Sequence, residues 1–411
     1  MLHYNNPRDL SRRVRVEPIR RNRFLRFLFA MAAGLLLCFG AALLLRAVFF
    51  AGPYLPPSPL PQEKIIDMHC HVAGLGGGGS GCFVNPRLRN GWKFRFYLRS
   101  FGASREELIE RGDALIFDRI AEWLARSRRV GKAVILAMDG AVDAQGRLDK
   151  EATEFYVPND FVARETARRR NLLFGASVNP YRPDAIKRLR RAAAQGACLV
   201  KWIPSIQGID PADPKLTPFY KTMAKLGLPL LTHTGRERSF SRADDRLADP
   251  QRLRLPLQLG VTVIAAHAAS TGSHEGRRDI DRLADMLPQF PNLYADISSL
   301  TQINKLGYLG EVLTRAEFRG RLVYGTDFPL INMPLVSPWF FPLRLRWEQM
   351  RRISRIANPW DRDVALKQAL GAPTEVFRRA ETILRLKNRP SRATHPGGEA
   401  ASRLDSEKPG P

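Results

Sequence analysis

Cysteine is scarce in this chain: 411 residues hold four. Cys38 lies inside an apolar stretch, Cys70 stands between two histidines, and Cys82 and Cys198 have no metal-type spacing. No disulfide framework and no cysteine-based zinc module is readable from them. Histidine is sparse as well, at seven. Acidic residues are outnumbered, 40 Asp and Glu against 65 Lys and Arg, for a formal charge of +25. Such a balance favours anionic surfaces or anionic substrates. The basic residues run along the whole chain, however, and no nucleic-acid motif stands among them, so nucleic acid is not an expected partner. There is no internal repeat beyond an alternation of strand-like and helix-like segments.

What is present begins with one apolar run, Phe27 to Leu45, about 19 residues and long enough to cross a bilayer as a helix. Arg8, Arg12, Arg13, Arg15, Arg20, Arg21, Arg23 and Arg26 precede it, against Asp9 and Glu17. A nearly charge-free stretch, AGPYLPPSPLPQ, follows. This asymmetry predicts a basic cytoplasmic tail over 1–26, a single transmembrane anchor over 27–50, and the large domain on the periplasmic or extracellular side. A cleaved signal peptide is the competing reading, but its apolar core is usually shorter and ends in small residues suited to cleavage. Residues 51–63 form a stiff Pro-rich linker.

From residue 64 to 387 short β-branched runs alternate with amphipathic patterns, the mark of a parallel α/β fold. Eight strands are predicted, near 65–70, 132–138, 172–178, 197–203, 229–232, 261–266, 292–297 and 321–325. Helices 183–195 and 277–287 are the clearest. Eight strands with helices between them are what a (β/α)8 TIM barrel requires, and such enzymes place their chemistry at the C-terminal strand ends. Those ends carry His69 and His71, Asp139, Asn179, Lys201, His233, His267, Asp296 and Asp327. Residues 72–111 interrupt the pattern after the first strand. They start GLGGGGSG, which reads as flexible, and suggest a lid-like insertion. The tail 388–411 is rich in Pro, Gly, Ser and charge and reads as disordered.

Strand side chains alternate faces, so His69 and His71 are expected to point one way together with Asp67, with Met68 and Cys70 pointing the other. Imidazole and carboxylate together suit zinc first, and also manganese, iron or nickel. One His-x-His pair says little. Four of seven histidines at predicted strand ends, followed by Asp327 after the last strand, say more.

The motifs DMHCH, LVKW, LTHTG, AAHAAS and YGTDFP, in this order and at these strand positions, resemble those of the amidohydrolase superfamily of metal-dependent hydrolases, closest to its amidohydrolase-related branch. The resemblance spans about residues 65–385. It implies that His69, His71, His233 and Asp327 bind a divalent metal and that Asp327 also takes a proton from the attacking water. His267 would polarise the substrate oxygen or help position the water in a one-metal site. In two-metal members the fourth-strand lysine is carboxylated and bridges the ions, which would make Lys201 a ligand and give His233 and His267 to the second ion. One or two ions are therefore open. The implied reaction is hydrolysis of an amide, ester, lactone or similar bond of a small, anionic-leaning molecule. The alternative is a non-oxidative decarboxylase of the same branch, which would need a carboxylate-gripping arginine that the sequence does not fix. A non-catalytic binding protein is the third reading.

Weaker candidates remain. Asp139, Asn179 and Asp296 either orient ligands or cap strand ends. His274 and Glu275 either touch substrate or lie in a solvated loop. Arg87, Arg89, Lys93, Arg95 and Arg99 either bind an anion or are solvated. The segment VSPWFFPLRLRW (336–347) rests on a membrane interface, walls an apolar pocket, or simply packs.

Overall fold

The computed structural model describes residues 19–49, 64–384 and 386. The basic segment before residue 19, the linker 51–63 and the tail 388–411 lie outside the described residues. The described chain divides into two units, the N-terminal helix with residues 342–346 and the rest. Helix α1 (Ile19–Phe49) contains a 22-residue apolar stretch, Arg23–Leu44, none of it buried. It is a candidate membrane span or signal sequence.

In the second unit eight strands form one parallel sheet in sequence order: β1 (Ile65–His71), β2 (Val130–Leu136), β3 (Leu172–Ala176), β4 (Leu199–Trp202), β5 (Leu230–His233), β6 (Val263–Ala266), β7 (Leu293–Asp296) and β8 (Leu322–Val323). All eight predicted strands exist, though the last is only two residues long. Its shortness has a physical reason: after Val323 the backbone leaves the β7 ladder and bonds to β1 instead. His71 N donates to Phe328 O at 3.0 Å, and Asp327 N donates to His69 O at 2.8 Å. These bonds curl the sheet round until its first strand meets the continuation of its last, as in a TIM barrel. Helices follow each strand on the outside, among them α2 (Ala114–Arg126), α3 (Asn159–Ala167), α4 (Ala185–Ala194), α5 (Thr217–Leu226) and α6 (Asp279–Met286). Two more, α7 (Pro359–Ala369) and α8 (Thr374–Ile383), come after β8.

Inside the barrel Ile66, Met68, Val134, Leu136, Leu231, Ile264 and Val323 pack together, and Ile383 and Leu384 at the end of α8 join them. A second, larger core lies between strands and helices. Burying each large aliphatic side chain contributes about 1.5–3 kcal/mol, so the sheet is held on both faces, as parallel sheets generally are.

One expectation fails in β1, and the failure matters for the site. Asp67 pairs with Ala133 and Cys70 with Ile135, so β1 fits one extra residue into that step. This bulge breaks the period-two alternation. Met68 turns into the barrel, whereas Asp67 turns toward the helix layer and accepts from Trp360 Nε1 at 2.8 Å. Trp360 is held there because α7 begins with Asn358, whose side chain caps Trp360 N and Asp361 N, followed by Pro359 at the first helical position. Asp67 also accepts from Thr326 Oγ1 at 2.6 Å, Thr326 N at 3.0 Å and His69 N at 3.0 Å. It therefore stitches β1, the β8 loop and α7 together. Burial, only partly offset by these donors, raises its pKa to about 6.

The insertion after β1 is also more ordered than its glycines suggest. Asp113 is fully buried and accepts from Leu75 N and Gly76 N, both at 2.9 Å, and from Ser80 Oγ. A Cβ at Gly74 would sit 2.5 Å from that carboxylate. The glycines let the backbone close on Asp113, and helices Pro86–Arg89, Trp92–Ser100 and Arg105–Arg111 follow.

Candidate metal centre

The C-terminal ends of the strands open into a cavity of about 190 Å³. His69, His71, Lys201, His233, His267 and Asp327 all line it. Each arrives from a different strand or strand end, β1, β4, β5, β6 and the segment after β8, apart from the two histidines of β1.

Four of these groups nearly touch. His69 Nε2 and His71 Nε2 are 3.2 Å apart, and Lys201 Nζ is 3.0 Å from His69 Nε2. Asp327 Oδ1 lies 3.3 Å from His71 Nε2 and 3.5 Å from His69 Nε2. The other oxygen, Oδ2, lies 3.7 Å from His267 Nε2. The His233 and His267 ring centres are 5.3 Å apart. The Asp327 carboxylate thus divides its oxygens between the β1 pair and the β6 side. Gly325 permits the close approach of this loop, since a Cβ there would meet His69 Cβ at 2.9 Å.

The protonation pattern suits cation binding. Burial lowers the pKa of His69 to about 4 and lowers those of His233 and His267. The shift favours loss of their protons, which frees lone pairs for a cation. Asp327 is held well below the usual carboxylate range: burial opposes its charge, but His267, His69 and His71 outweigh it. Burial brings the Lys201 ammonium down to about 8. A buried His233 Nε2 has no hydrogen-bond partner among the described residues, while its Nδ1 lies 3.5 Å from Glu237 Oε2. Two imidazole nitrogens 3.2 Å apart, with an unpartnered His233 nitrogen in the same cavity lining, are costly without a cation and natural with one. The residues present therefore fit a divalent metal: His69, His71 and Asp327 converge on one point, with donor atoms within 4.8 Å of one another.

Asp296 at the end of β7 orients this set. Its Oδ2 lies 2.7 Å from His69 Nδ1, and its Oδ1 accepts from His267 N at 2.7 Å and from Ser298 Oγ. Burial opposes its ionisation, yet the donors from His69 and Ser298 hold its pKa well below the usual range. A carboxylate accepting the Nδ1 proton leaves His69 Nε2 free to face the cavity. His267 Nδ1 lies 2.8 Å from Ser298 Oγ and 3.0 Å from Ser299 Oγ. The backbone is strained at the same places, with left-handed φ of 56° at His267, 53° at Ser299 and 60° at Asp327. Such strain gathers where surrounding contacts fix a functional geometry.

Other candidates fall elsewhere. Asp139 binds the buried Arg182 through Nε at 2.8 Å, and Asn179 bonds to the carbonyls of Gly140 and Gln207. Both serve a loop network, and neither lines the cavity. His274 lies 2.6 Å from Asp279 Oδ1 and 3.0 Å from Asp245 O, and Glu275 pairs with Arg282. Neither lines the cavity. Arg87, Arg89, Arg95 and Arg99 do not line it either; the insertion contributes Leu88, Phe94, Tyr97 and Phe101 instead. Trp339 and Trp347 meet at 4.8 Å on the surface and are not cavity walls. The sequence reading missed Glu237, Lys305, Arg236 and Arg238, which line the cavity. Glu237, four residues after His233, carried a weak signal; Lys305 carried none.

A family profile, Amidohydrolase, matches residues 66–350. The chain belongs to the amidohydrolase family. It is accordingly a metal-dependent enzyme. No curated protein matches the sequence. Among solved structures, an uncharacterized TIM-barrel protein from Bordetella bronchiseptica shares 18% identity at a TM-score of 0.46, over 75% of this chain and 99% of that one. A 5-carboxyvanillate decarboxylase from Sphingomonas paucimobilis shares 15% at 0.40, over 77% and 99%. A probable 2-pyrone-4,6-dicarboxylic acid hydrolase from Acinetobacter baumannii, solved with citric acid bound, shares 13% at 0.44, over 79% and 100%. These likenesses are loose and fix no residue correspondences.

Proposed function

We propose that this amidohydrolase cleaves an amide, ester, lactone or similar bond of a small molecule with a water activated at the barrel mouth. The observation that carries the reading is the convergence of His69, His71 and Asp327 in a cavity also lined by His233, whose Nε2 has no partner among the described residues. A bound divalent ion, zinc first by ligand type, supplies an acidified water and polarises the substrate carbonyl. The chain's own groups do the rest. Ionised Asp327 takes the proton of the water and passes it to the leaving group. His267, neutral and held by Ser298 and Ser299, turns Nε2 toward the cavity, where it grips the substrate oxygen or a second ion. Lys201 would serve as a further ligand in a two-ion site once carboxylated, because a carbamate is an anionic two-oxygen ligand whereas an ammonium repels cations. Its lowered pKa enlarges the fraction of neutral amine that can add carbon dioxide.

Metal stoichiometry tests this. We expect two ions per chain in the presence of bicarbonate and one or none in Lys201→Ala, measured by atomic emission. One ion regardless of Lys201 would remove the bridged arrangement, and no ion would remove the metal centre.

Non-oxidative decarboxylation is the second reading, favoured by one observation: the buried cation of Lys305 lines the cavity and could grip a carboxylate. Oxygen-18 water separates the two, since hydrolysis places the label in the organic product, whereas decarboxylation leaves the organic product unlabelled and releases carbon dioxide.

We read α1 as an uncleaved anchor with a cytoplasmic N-terminus and the barrel on the periplasmic or extracellular side, supported by its 22-residue apolar stretch. Carbonate extraction should leave the full chain in the membrane pellet; release of a shortened chain would favour a cleaved signal.

A further inference from the structure

Lys305 is the odd charge in this cavity. Its side chain is 9% exposed, and its Nζ donates to Ser299 Oγ at 2.6 Å. No carboxylate pairs with it among the described residues. The buried Lys367 shows what the fold does with a structural lysine: its Nζ has Asp363 Oδ2 at 2.8 Å and Gly325 O at 2.9 Å. An ammonium has three donors, so Lys305 keeps two for the cavity. Asp327, Glu237 and Asp296 attract the ammonium from beyond ion-pair distance, which leaves a buried charge incompletely compensated, and here it lines the space a substrate would enter. Ser299 fixes its place: the strained residue brings its hydroxyl within 3.0 Å of His267 Nδ1, tying the ammonium to the β6 side of the metal centre.

Much of the rest of the cavity is apolar, although Tyr97, Glu237, Ser239, Thr271, Gln302 and Asn304 also line it. Leu88, Phe94 and Phe101 of the insertion face it, with Phe155 and Phe240 from other loops. Arg236 and Arg238 also line it, but both are exposed. The one other lysine of the lining, Lys201, is engaged with His69 Nε2 at 3.0 Å. The cavity thus has one buried cation held only by a hydroxyl, Lys305 on Ser299, and largely apolar walls from the insertion.

We propose that Lys305 is the specificity-determining residue for a single carboxylate and that the insertion walls a slot for an apolar body, so that the substrate class is the monoanionic amphiphile. This rests on the cavity being the active site of the proposed hydrolase. Burial lowers the Lys305 pKa, in keeping with a cation that gains from an incoming anion.

The test is isothermal titration of the zinc-loaded full chain with three six-carbon probes: hexanoate, hexan-1-ol and adipate. Hexanoate should bind at least about tenfold more tightly than hexanol, the range expected for one charge-assisted contact, and more tightly than adipate. Lys305→Met should erase the difference between acid and alcohol, leave hexanol binding unchanged and keep the wild-type zinc content. Phe94→Ala should weaken hexanoate and hexanol alike. An intact acid preference in Lys305→Met would overturn the proposal by placing the anion on zinc or the rim arginines. A tighter adipate complex would overturn it in favour of a dicarboxylate site. Loss of zinc in Lys305→Met would make Lys305 part of the metal centre instead. Failure of the wild-type chain to take up zinc, by contrast, strikes the hydrolase reading itself.

Discussion

Asp327→Asn should lower kcat by at least about 10³-fold on any ester or lactone that the wild-type enzyme turns over, within the range for loss of a general base. The substitution is a clean one. Asp327 sits at φ 60°, where Asn is among the few residues tolerated, and its backbone N–H bond to His69 O at 2.8 Å does not involve the side chain. The amide matches the carboxylate in shape but cannot accept the water's proton. It also withdraws a negative oxygen from His69 and His71, 3.5 and 3.3 Å away, so metal content should be measured beside the rate. Unchanged near-ultraviolet circular dichroism would show that the fold survives. A variant within tenfold of wild type would remove Asp327 from the proton path.

Asp296→Asn should weaken metal binding by about 10–100-fold, the usual cost of losing a partner that orients a ligand. The argument is one of tautomers. The Asp296 carboxylate, 2.7 Å from His69 Nδ1, accepts that nitrogen's proton and leaves Nε2 an acceptor on the cavity side, where Lys201 Nζ lies 3.0 Å away. An amide can present N–H to Nδ1 instead, which moves the imidazole proton to Nε2 and blocks the lone pair. Competition with a chromophoric chelator measures the effect, and an affinity within twofold of wild type would refute the orienting role. The native pKa of Asp296 is depressed, so its contribution to folding is complete above the unfolded value of about 3.9 and is lost as pH falls toward the native one. The variant should therefore differ from wild type in stability at neutral pH and converge on it in strong acid.

The order and number of strands were legible because they depend on local patterns: β-branched runs, amphipathic spacing and glycine punctuation act over a few residues. The residue types that gather at the cavity were legible for the same reason, since a histidine or aspartate just past a strand needs no knowledge of its neighbours. The apolar N-terminal run likewise carries its own length and composition. Tertiary structure decided what depends on distant segments. The bulge in β1 that turns Met68 inward and Asp67 toward Trp360 arises because residues 293 positions apart share a hydrogen bond. Asp296 became an orienting group, and Asp139 a loop tie, only when the barrel placed His69 beside one and Arg182 beside the other. Lys305 belongs to no motif; it matters because Ser299 and the closing of eight strands leave its charge buried and unpaired beside His267. Periodicity carries the elements of the chain, whereas burial and pairing of charge emerge only when the ring of strands closes.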